Sequence, residues 1–378
     1  MLMIAYIMTI LYSAGIAYTV LFAIGYARRS QKRLVPEKVN YISVILPVYK
    51  EKTSLLLECM ESLAQQSCSK KIKLYVVLTA AQPSQEALIK KFKSNFSNLT
   101  ILHKKHPSLV KAYITALLHI NTKFTCIVNA DILLEPDAIT KLYSFVYKKR
   151  LDIGFGLIMP KGNSKFSKFT SIKKHVRQLL LQTGRGTLGM GYYIPGAFYI
   201  AKSMLLKNNM QETFTDDVAL MLQSYSMKKF RMALLPEVLA YELEKSSFYS
   251  WTMQFSRWFI GNVKIYKLWS SALIKSKMKV KFGIIGLLYI WYVLPISIAI
   301  GIFAVLLGVL NIWLFILFYA LLTIILCLMK PVYKYGPFYI VAFWLVYSLS
   351  KITGILISPY IFIMLRYNES RRYVIFKR

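Results

Sequence analysis

The chain has 378 residues, and its 49 Lys and Arg against 16 Asp and Glu give a formal net charge of +33. This length leaves no room for two large soluble domains beside several apolar helices, since one domain takes about 100 to 200 residues. The basic residues are scattered and form no recognisable nucleic-acid-binding motif. We therefore interpret them as solvated surface, with a share resting on anionic lipid headgroups, and expect no nucleic-acid partner.

Cysteine, histidine and glycine patterns exclude several other classes of site. The four cysteines show no paired spacing and the four histidines form no HExxH pattern, so neither a disulfide framework nor a zinc site is expected. No GxGxxG follows the first predicted strand, and Gly184-Arg185-Gly186 lies outside any strand-to-helix turn. A dinucleotide cofactor and a Walker-type phosphate loop are therefore not predicted.

The N-terminal segment predicts a retained membrane anchor over residues 1–27. These residues include no charged side chain, and Arg28, Arg29, Lys32 and Arg33 follow them directly. A cleavable signal peptide carries its positive charge before the apolar stretch, whereas here the charge comes after it. The positive-inside tendency then predicts an outer N-terminus and a cytoplasmic segment from Arg28 onward.

A C-terminal transmembrane region of about three spans is predicted over residues 282–365. Residues 282–329 carry no charge, and one helix of that length would reach about 72 Å, so a reversal is expected near Gly308 to Asn311. The apolar stretch from Tyr335 to Leu365 is interrupted only by Lys351. A single crossing there places the basic tail 366–378 outside, whereas a re-entrant turn near Ser350-Lys351 returns it to the cytoplasm. We favour four crossings in total.

Between these apolar ends, residues 39–245 alternate short β-rich runs with helical ones, which predicts an α/β domain. The expected fold is a mostly parallel sheet with helices on both faces, and ligands in such sheets bind at the carboxyl ends of the strands. The predicted strands are 41–47, 72–78, 99–103, 124–129, 153–159 and 198–201, and the predicted helices are 53–65, 84–92, 109–120 and one that begins near 135–137.

Polar side chains at the strand ends are the first candidates for a site. The first strand ends in Pro47-Val48-Tyr49-Lys50-Glu51, which offers an aromatic ring and a carboxylate to a base and a ribose. The fourth ends in Asn129-Ala130-Asp131. On local pattern alone, a single acid after a strand is more often a helix cap than a ligand.

Two further motifs lie between this domain and the C-terminal apolar block. Thr215-Asp216-Asp217 precedes an apolar run and fits either a catalytic acid pair or a helix N-cap with acids in its first turn. Gln254-Phe255-Ser256-Arg257-Trp258 lies within a predicted amphipathic, interfacial helical region over 246–280. Its aromatic side chains fit either interfacial anchoring or a binding role.

Five motifs, taken in chain order, resemble those of the family 2 membrane glycosyltransferases of GT-A fold. They are the end of the first strand, Asn129-Ala130-Asp131, Pro195-Gly196-Ala197-Phe198, Thr215-Asp216-Asp217 and Gln254–Trp258. The similarity is to the processive synthases of cellulose, hyaluronan, chitin oligosaccharide and poly-N-acetylglucosamine. It covers about residues 41–260. One apolar segment before this region and about three after it also match the layout of that family.

The resemblance implies an inverting transfer of a sugar from a UDP-sugar to a β-linked glycan, with translocation through the helices of the enzyme. It implies that Asp131 holds Mg²⁺ or Mn²⁺ against the donor diphosphate. Asp217 would be the general base, with Asp216 beside it. Gly196, Ala197 and Trp258 would contact the acceptor. The donor would be held by Pro47, Tyr49, Glu51, Thr79, Lys111, Asn129, Asp131, Gln254, Arg257 and Trp258.

Two positions depart from the family pattern. Thr79 stands where members of the family carry an aspartate that reads the uracil, and Asn129 replaces the first acid of the DxD motif. Base identity and metal affinity are therefore less defined than for a standard member. The alternatives are a single-transfer enzyme that glycosylates a lipid, similar to ceramide glucosyltransferases, and a membrane protein that binds sugar nucleotides without turnover.

Overall fold

The computed structural model describes residues 2–29, 39–49, 51–79, 83–104, 108–161, 165–210, 216–227, 230–243, 247–268, 270, 274, 276–308, 311–328, 335 and 337–367. Thr215, Lys50 and residues 368–378 of the predicted tail lie outside this range.

The central element is an eight-stranded sheet in the order β3-β2-β1-β4-β7-β6-β8-β5. The strands β1, β2, β3 and β4 are parallel neighbours, and β7 runs antiparallel to both β4 and β6. The bounds are β1 Ile42–Val48, β2 Ile72–Thr79, β3 Asn98–Lys104, β4 Phe124–Val128, β5 Ile132–Leu134, β6 Ile153–Lys161, β7 Phe198–Lys202 and β8 Met232–Leu243.

This arrangement corrects the predicted mostly parallel sheet to a mixed one. The chain enters β7 after the long segment 162–197 and pairs with β4 in the reverse direction, with Val128 opposite Phe198. Antiparallel pairing needs no crossover connection, whereas a parallel pair does, so direction cannot be inferred from strand-helix alternation alone. The short strand β5 is also antiparallel to its neighbour β8.

Buried apolar residues explain the parallel half of the sheet. Every residue of β1 is buried, because helices cover both faces. The helices of this part are α2 Thr53–Ala64, α3 Pro83–Lys90, α4 Leu109–His119 and α5 Ala138–Lys148, with short 3₁₀ turns at Ser69–Lys71 and Lys93–Asn95. These strands and helices agree with the predicted ones to within one to three residues.

A helical segment between β6 and β7 joins the sheet to the N-terminal helix. It comprises α6 Lys165–Val176, a π-helix, π1, at Arg177–Gly184, and the short α7 Arg185–Thr187. The N-terminal helix α1 Leu2–Ala27 approaches π1 backbone to backbone: a Cβ built on Gly184 would lie 2.0 Å from the Phe22 carbonyl oxygen, and one on Gly25 would lie 2.2 Å from the Gly184 carbonyl oxygen. Only glycine permits this approach on both sides.

The remaining helices complete the chain. They are α8 Ser203–Asn209, α9 Asp216–Met227, α10 Phe248–Leu268, α11 Met278–Leu288, π2 Tyr289–Val293, α12 Leu294–Leu306, α13 Ile312–Cys327 and α14 Pro337–Tyr367. Gly308, with φ of +68°, lies between α12 and α13, where the reversal was predicted. Helix α14 continues through Ser350 and Lys351, which contradicts a re-entrant turn at that point.

Two helices among the described residues, Tyr6–Ala27 and Phe338–Pro359, are long and apolar enough to cross a membrane by length and composition. Shorter apolar helices include Leu294–Leu306 and Ile316–Cys327. Helix α14 packs along α10, where the Ser256 hydroxyl donates a hydrogen bond to the Gly354 carbonyl at 2.8 Å. The predicted amphipathic helix is therefore covered by α14: Trp251 and Phe255 on its aromatic face are buried.

Candidate active site

The carboxyl end of β4 meets the start of β7 at the centre of the site. The backbone amide of Asn129 donates a hydrogen bond to the Ala197 carbonyl at 2.9 Å. The Tyr113 hydroxyl on α4 donates to the side-chain oxygen Oδ1 of Asn129 at 3.1 Å. Asn129 is thus fixed through both its backbone and its side chain. Its amide oxygen accepts a hydrogen bond, which a charged Asp at this position would also do.

Glu51 and Asp131 both lie close to Cys59 on α2. The Cys59 thiol is 3.8 Å from the Asn129 carbonyl oxygen, and burial, followed by the charges of Asp131 and Glu51, raises the pKa of Cys59. The Tyr49 amide donates to Glu51 Oε2, and the buried Gln85 amide donates to the Glu51 carbonyl at 2.6 Å. The structure therefore brings the ends of β1 and β4 together, as predicted for parallel strands.

Asp217 lies on the other side of the Gly196-Ala197 turn. Its Oδ2 accepts a hydrogen bond from the Tyr193 hydroxyl at 3.1 Å, and its Oδ1 accepts from the Val218 amide at 2.9 Å. Burial raises the pKa of Asp217, whereas the positive charge of Arg177 and the hydrogen bonds oppose that rise. This carboxylate is held in one orientation at the first turn of α9, where the helix dipole favours negative charge.

Asp216 is the buried partner of Asp217. Its side chain is 7% exposed, and its Oδ2 has no hydrogen-bond partner among the described residues. Burial, followed by the charge of Asp217, raises the pKa of Asp216 to about 7. The two adjacent carboxyl groups have different surroundings: Arg177 and the hydrogen bonds favour the ionised form of Asp217, whereas burial without a hydrogen bond to Oδ2 favours the neutral form of Asp216.

Arg177 connects the acid pair to α10. Its guanidinium carbon lies 4.4 Å from the centroid of the Tyr193 ring and 5.5 Å from that of the Trp258 ring. Lys173, one turn earlier, has its ammonium 5.7 Å from the same Trp258 ring. Trp258 is therefore linked to Asp217 through Arg177 and Tyr193, although α9 and α10 are separate elements.

The other predicted site residues have varied surroundings. Gln254 and Arg257 are half-buried on α10 beside Trp258. Thr79 is the buried last residue of β2, and Pro47 is buried one residue from the end of β1. Lys111 is exposed in the first turn of α4, which Ser108 caps through a 3.3 Å hydrogen bond from the Lys111 amide. The donor roles of Thr79 and Lys111 stay predictions.

A divalent cation fits the end of β4 only if the donor supplies most of its ligands. Among the described residues, no group of three or more His, Cys, Asp or Glu side chains is placed to hold a metal. The chain offers the half-exposed Asp131, while the Asn129 side-chain oxygen already accepts from Tyr113. One carboxylate with phosphate oxygens and water suits Mg²⁺ or Mn²⁺, which keep several non-protein ligands.

Sequence reasoning missed Arg177, Tyr193 and Tyr113. None of them belongs to a motif, and each reaches the site from an element distant in the chain from its partner. The spacing of Arg177 depends on π1, and periodicity does not predict a π-helix. Tyr193 offers one signal: it lies three residues before Gly196 in an aromatic-rich approach to the acceptor turn.

Comparison with known proteins supports the assignment of the domain. Residues 43–207 match the family model described as Glycosyl transferase family 2. The chain carries a glycosyltransferase domain of this family in a mixed α/β, GT-A-like fold, and the protein is a glycosyltransferase. No curated protein sequence matches the chain.

Solved structures with this fold include a mannosyltransferase that resembles the chain over nearly its whole length. Mannosyltransferase PcManGT from Pyrobaculum calidifontis, in complex with GDP-Man and Mn²⁺, superposes with a TM-score of 0.64 at 16% identity, covering 92% of this chain and 99% of that one. S. aureus TarS 1-349 in complex with UDP-GlcNAc gives a TM-score of 0.46 at 16% identity, over 66% of this chain and 71% of that one.

Proposed function

Because residues 43–207 form a glycosyltransferase domain, we propose that this protein is an inverting membrane glycosyltransferase that transfers a sugar from a UDP-sugar to a growing β-linked polysaccharide or oligosaccharide. The observation that supports this most directly is the position of Asp217. It is hydrogen-bonded to Tyr193 and packed against Gly196, one residue before the Ala197 carbonyl that accepts from Asn129. The proposed base is therefore close to the strand end that carries Asp131, which supports one site for both.

In the proposed reaction, an acceptor hydroxyl attacks the anomeric carbon of the donor from the face opposite the nucleotide. The C–O bond to the nucleoside diphosphate breaks, the diphosphate leaves with that electron pair, and Asp217 Oδ2 takes the hydroxyl proton. An α-linked donor thus gives a β-linked product. The Tyr193 hydrogen bond stabilises the carboxylate before transfer and orients Oδ2 toward the acceptor.

Donor binding is proposed for the ends of β1, β2 and β4. Asp131 would hold Mg²⁺ or Mn²⁺, which when bound supplies positive charge against the departing diphosphate. Arg257 would donate hydrogen bonds to the phosphates, and its guanidinium matches their geometry. Tyr49 and Glu51 would hold the base and ribose, with Thr79 as a neutral hydrogen-bonding group at the base.

We propose that four helical units are inserted in the membrane. They are α1, the unit formed by α11, π2 and α12, then α13, and finally α14. Large apolar side chains on these helices remain exposed, including Phe303 at 62%, Trp313 at 73% and Leu356 at 72%, as does Leu328 directly after α13 at 79%. Exposed apolar surface of this extent suits lipid rather than water. Lys351 on α14 is 5% exposed, and its ammonium lies 3.4 Å from the centroid of the Phe255 ring on α10, as expected for a basic residue within a span.

Four crossings place the catalytic domain in the cytoplasm, as predicted from the charges after α1, and place the C-terminus outside. A short epitope fused after Arg378 tests this topology. Accessibility of the epitope to protease in intact cells supports four crossings, whereas protection until the membrane is permeabilised contradicts them.

Turnover is tested by nucleotide release from the purified full chain across UDP- and GDP-sugars. Release from one UDP-sugar that depends on divalent metal and acceptor supports the proposal, and release from a GDP-sugar alone overturns the nucleotide assignment. The length of the product from radiolabelled donor then decides between the two acceptor classes. A ladder or polymer supports chain elongation, and one lipid-soluble species supports single transfer to a lipid.

A further inference from the structure

The segment π1 contacts the proposed base through Tyr193. Gln182 accepts a hydrogen bond from the Tyr193 amide at 2.7 Å and donates one to the Tyr193 carbonyl. Both backbone polar groups of Tyr193 are thus bound by one buried side chain. The Tyr193 hydroxyl then donates to Asp217 Oδ2 at 3.1 Å, so its position depends on π1.

Arg177 reaches the same tyrosine from the other end of π1. Hydrogen bonds in a π-helix join residues five apart, which brings side chains at that spacing to one side of the helix. Arg177 and Gln182 have this spacing, and both contact Tyr193. The Thr183 hydroxyl donates to the Gln178 carbonyl across the same interval at 2.9 Å. A regular α-helix would separate residues five apart by more than a quarter turn.

The guanidinium of Arg177 lies between two aromatic side chains of different elements. Its carbon is 4.4 Å from the ring centroid of Tyr193 and 5.5 Å from that of Trp258 on α10. A guanidinium over an aromatic ring is attracted by the negative face of the ring, and more strongly where water is excluded. One cation therefore stabilises the hydrogen-bond donor of the base and the tryptophan of the Gln254–Trp258 motif together.

We propose that Arg177 is the positioning residue of this active site, which holds Tyr193 against Asp217 and aligns Trp258 on α10. This inference rests on the proposed role of Asp217. Five titratable or charged groups interact with Asp217: the neighbouring Asp216 on α9, Tyr193 before β7, Tyr199 on β7, Tyr266 on α10 and Arg177 on π1.

The sign of the effect follows from these groups. Arg177 and the Tyr193 hydroxyl both lower the pKa of Asp217, against the rise that burial causes. Turnover needs the ionised base, so the rate rises with pH through the acidic limb of the profile. Removing either group favours the protonated carboxyl and moves that limb to higher pH.

The test is the pH dependence of nucleotide release by the full chain in detergent, for wild type, Arg177→Gln, Arg177→Lys and Tyr193→Phe. The acidic limb is expected to move to higher pH in Arg177→Gln and Tyr193→Phe. In Arg177→Lys the charge is kept and the planar contacts are lost, so the limb stays near its wild-type position while kcat falls. The matched control is Lys173→Gln, which removes a cation near the same Trp258 ring that is not among the groups that shift the pKa of Asp217, and its acidic limb is expected to stay in place.

The proposal is overturned if Arg177→Gln unfolds at the wild-type temperature and its acidic limb stays at the wild-type pH. If Arg177→Gln does not fold, the other two variants decide. The proposal is overturned if the acidic limb of Tyr193→Phe stays at its wild-type pH. It is also overturned if the acidic limb of Arg177→Lys moves as far as that of Tyr193→Phe. Asp217→Asn separates this failure from that of the proposed function. If Asp217→Asn retains turnover, Asp217 is not the base. If Asp217→Asn is inactive and the acidic limb of Arg177→Gln stays at its wild-type pH, only the role of Arg177 is rejected.

Discussion

Gly196 lies so close to Asp217 that a Cβ built on the glycine would stand 3.0 Å from Oδ2 and 3.2 Å from Cγ of the carboxylate. The carboxyl group therefore packs directly on the backbone of the turn that leads into β7. The next residue, Ala197, accepts the hydrogen bond from Asn129. A small residue at position 196 is thus required by the position of the acid as well as by any acceptor sugar.

Gly196→Ala is expected to lower kcat by about 10- to 100-fold, because the added methyl group displaces Asp217 from its orientation by a few tenths of an ångström or more. Nucleotide release at saturating donor measures the effect. The control is Gly189→Ala, where the added Cβ meets nothing within 4 Å. That residue has φ of +70°, so its substitution adds backbone strain without moving the base, and turnover like that of wild type is expected. Equal activity of Gly196→Ala and wild type would contradict the packing argument.

Asp216→Asn is expected to change how stability depends on pH. Burial raises the pKa of Asp216 to about 7, from about 3.9 in an unfolded chain, so the folded state binds the proton more tightly. Its contribution to stability is present at low pH and is lost as pH rises from about 4 to about 7. The amide carries no charge to bury, so the variant is expected to gain thermal stability relative to wild type above neutral pH.

Thermal unfolding in detergent, scanned across pH, measures this difference. The matched variant is Asp137→Asn, which neutralises an exposed aspartate in the turn before α5. It is expected to leave the pH dependence unchanged. A constant difference between Asp216→Asn and wild type at every pH contradicts the buried, proton-binding role of Asp216.

Asp131→Asn is expected to weaken the binding of the divalent metal at the active site. Asp131 is the carboxylate that the chain offers at the end of β4, so its loss is expected to raise the Mg²⁺ or Mn²⁺ concentration for half-maximal turnover by about 10- to 100-fold or more. Titration of metal into EDTA-treated enzyme measures this concentration, with Asp137→Asn again as the control. Full activity of the wild type after chelation would remove Asp131 from the proposed metal site.

Gly354→Ala is expected to destabilise the contact between α10 and α14. A Cβ at this position would stand 2.5 Å from Cδ1 of Phe255 and 3.2 Å from the Ser256 hydroxyl oxygen. Overpacking of this kind costs about 1 to 3 kcal/mol. A lower unfolding temperature in detergent is expected, with reduced turnover because α10 carries Arg257 and Trp258. Leu356→Ala on the exposed side of α14, 72% exposed, is the control, and equal unfolding temperatures for the two variants would contradict the prediction.

The first half of the sheet could be predicted from the sequence because its strands are continuous apolar runs between helices. The strand from Ile42 to Val48 and the one from Phe124 to Val128 are buried throughout, and their ends carry Glu51 and Asp131 to one edge. The second half could not be predicted in the same way. The direction of β7 depends on the path of residues 162–197, which periodicity does not describe.

The candidate site also contains residues that the sequence predicts and residues that it does not. Asp217, Gly196 and Asn129 belong to short motifs, so the sequence predicts them as site residues, and the structure brings them together. Arg177 and Tyr193 have no motif, because their contacts with Asp217 depend on a π-helix and on one buried glutamine, Gln182. The aromatic face around Phe255, which the sequence assigns either to interfacial anchoring or to binding, is covered by α14 because Gly354 and Ser256 permit close packing.

The most direct test of the account is nucleotide release by Asp217→Asn, measured with the sugar nucleotide that the wild type uses and at saturating acceptor. Asparagine keeps the size of the side chain and removes the proton acceptor, so kcat is expected to fall by about 10²- to 10⁴-fold while the donor dissociation constant changes little. Turnover within a few-fold of wild type, in a variant that folds and binds donor normally, would contradict the assignment of Asp217 as the base.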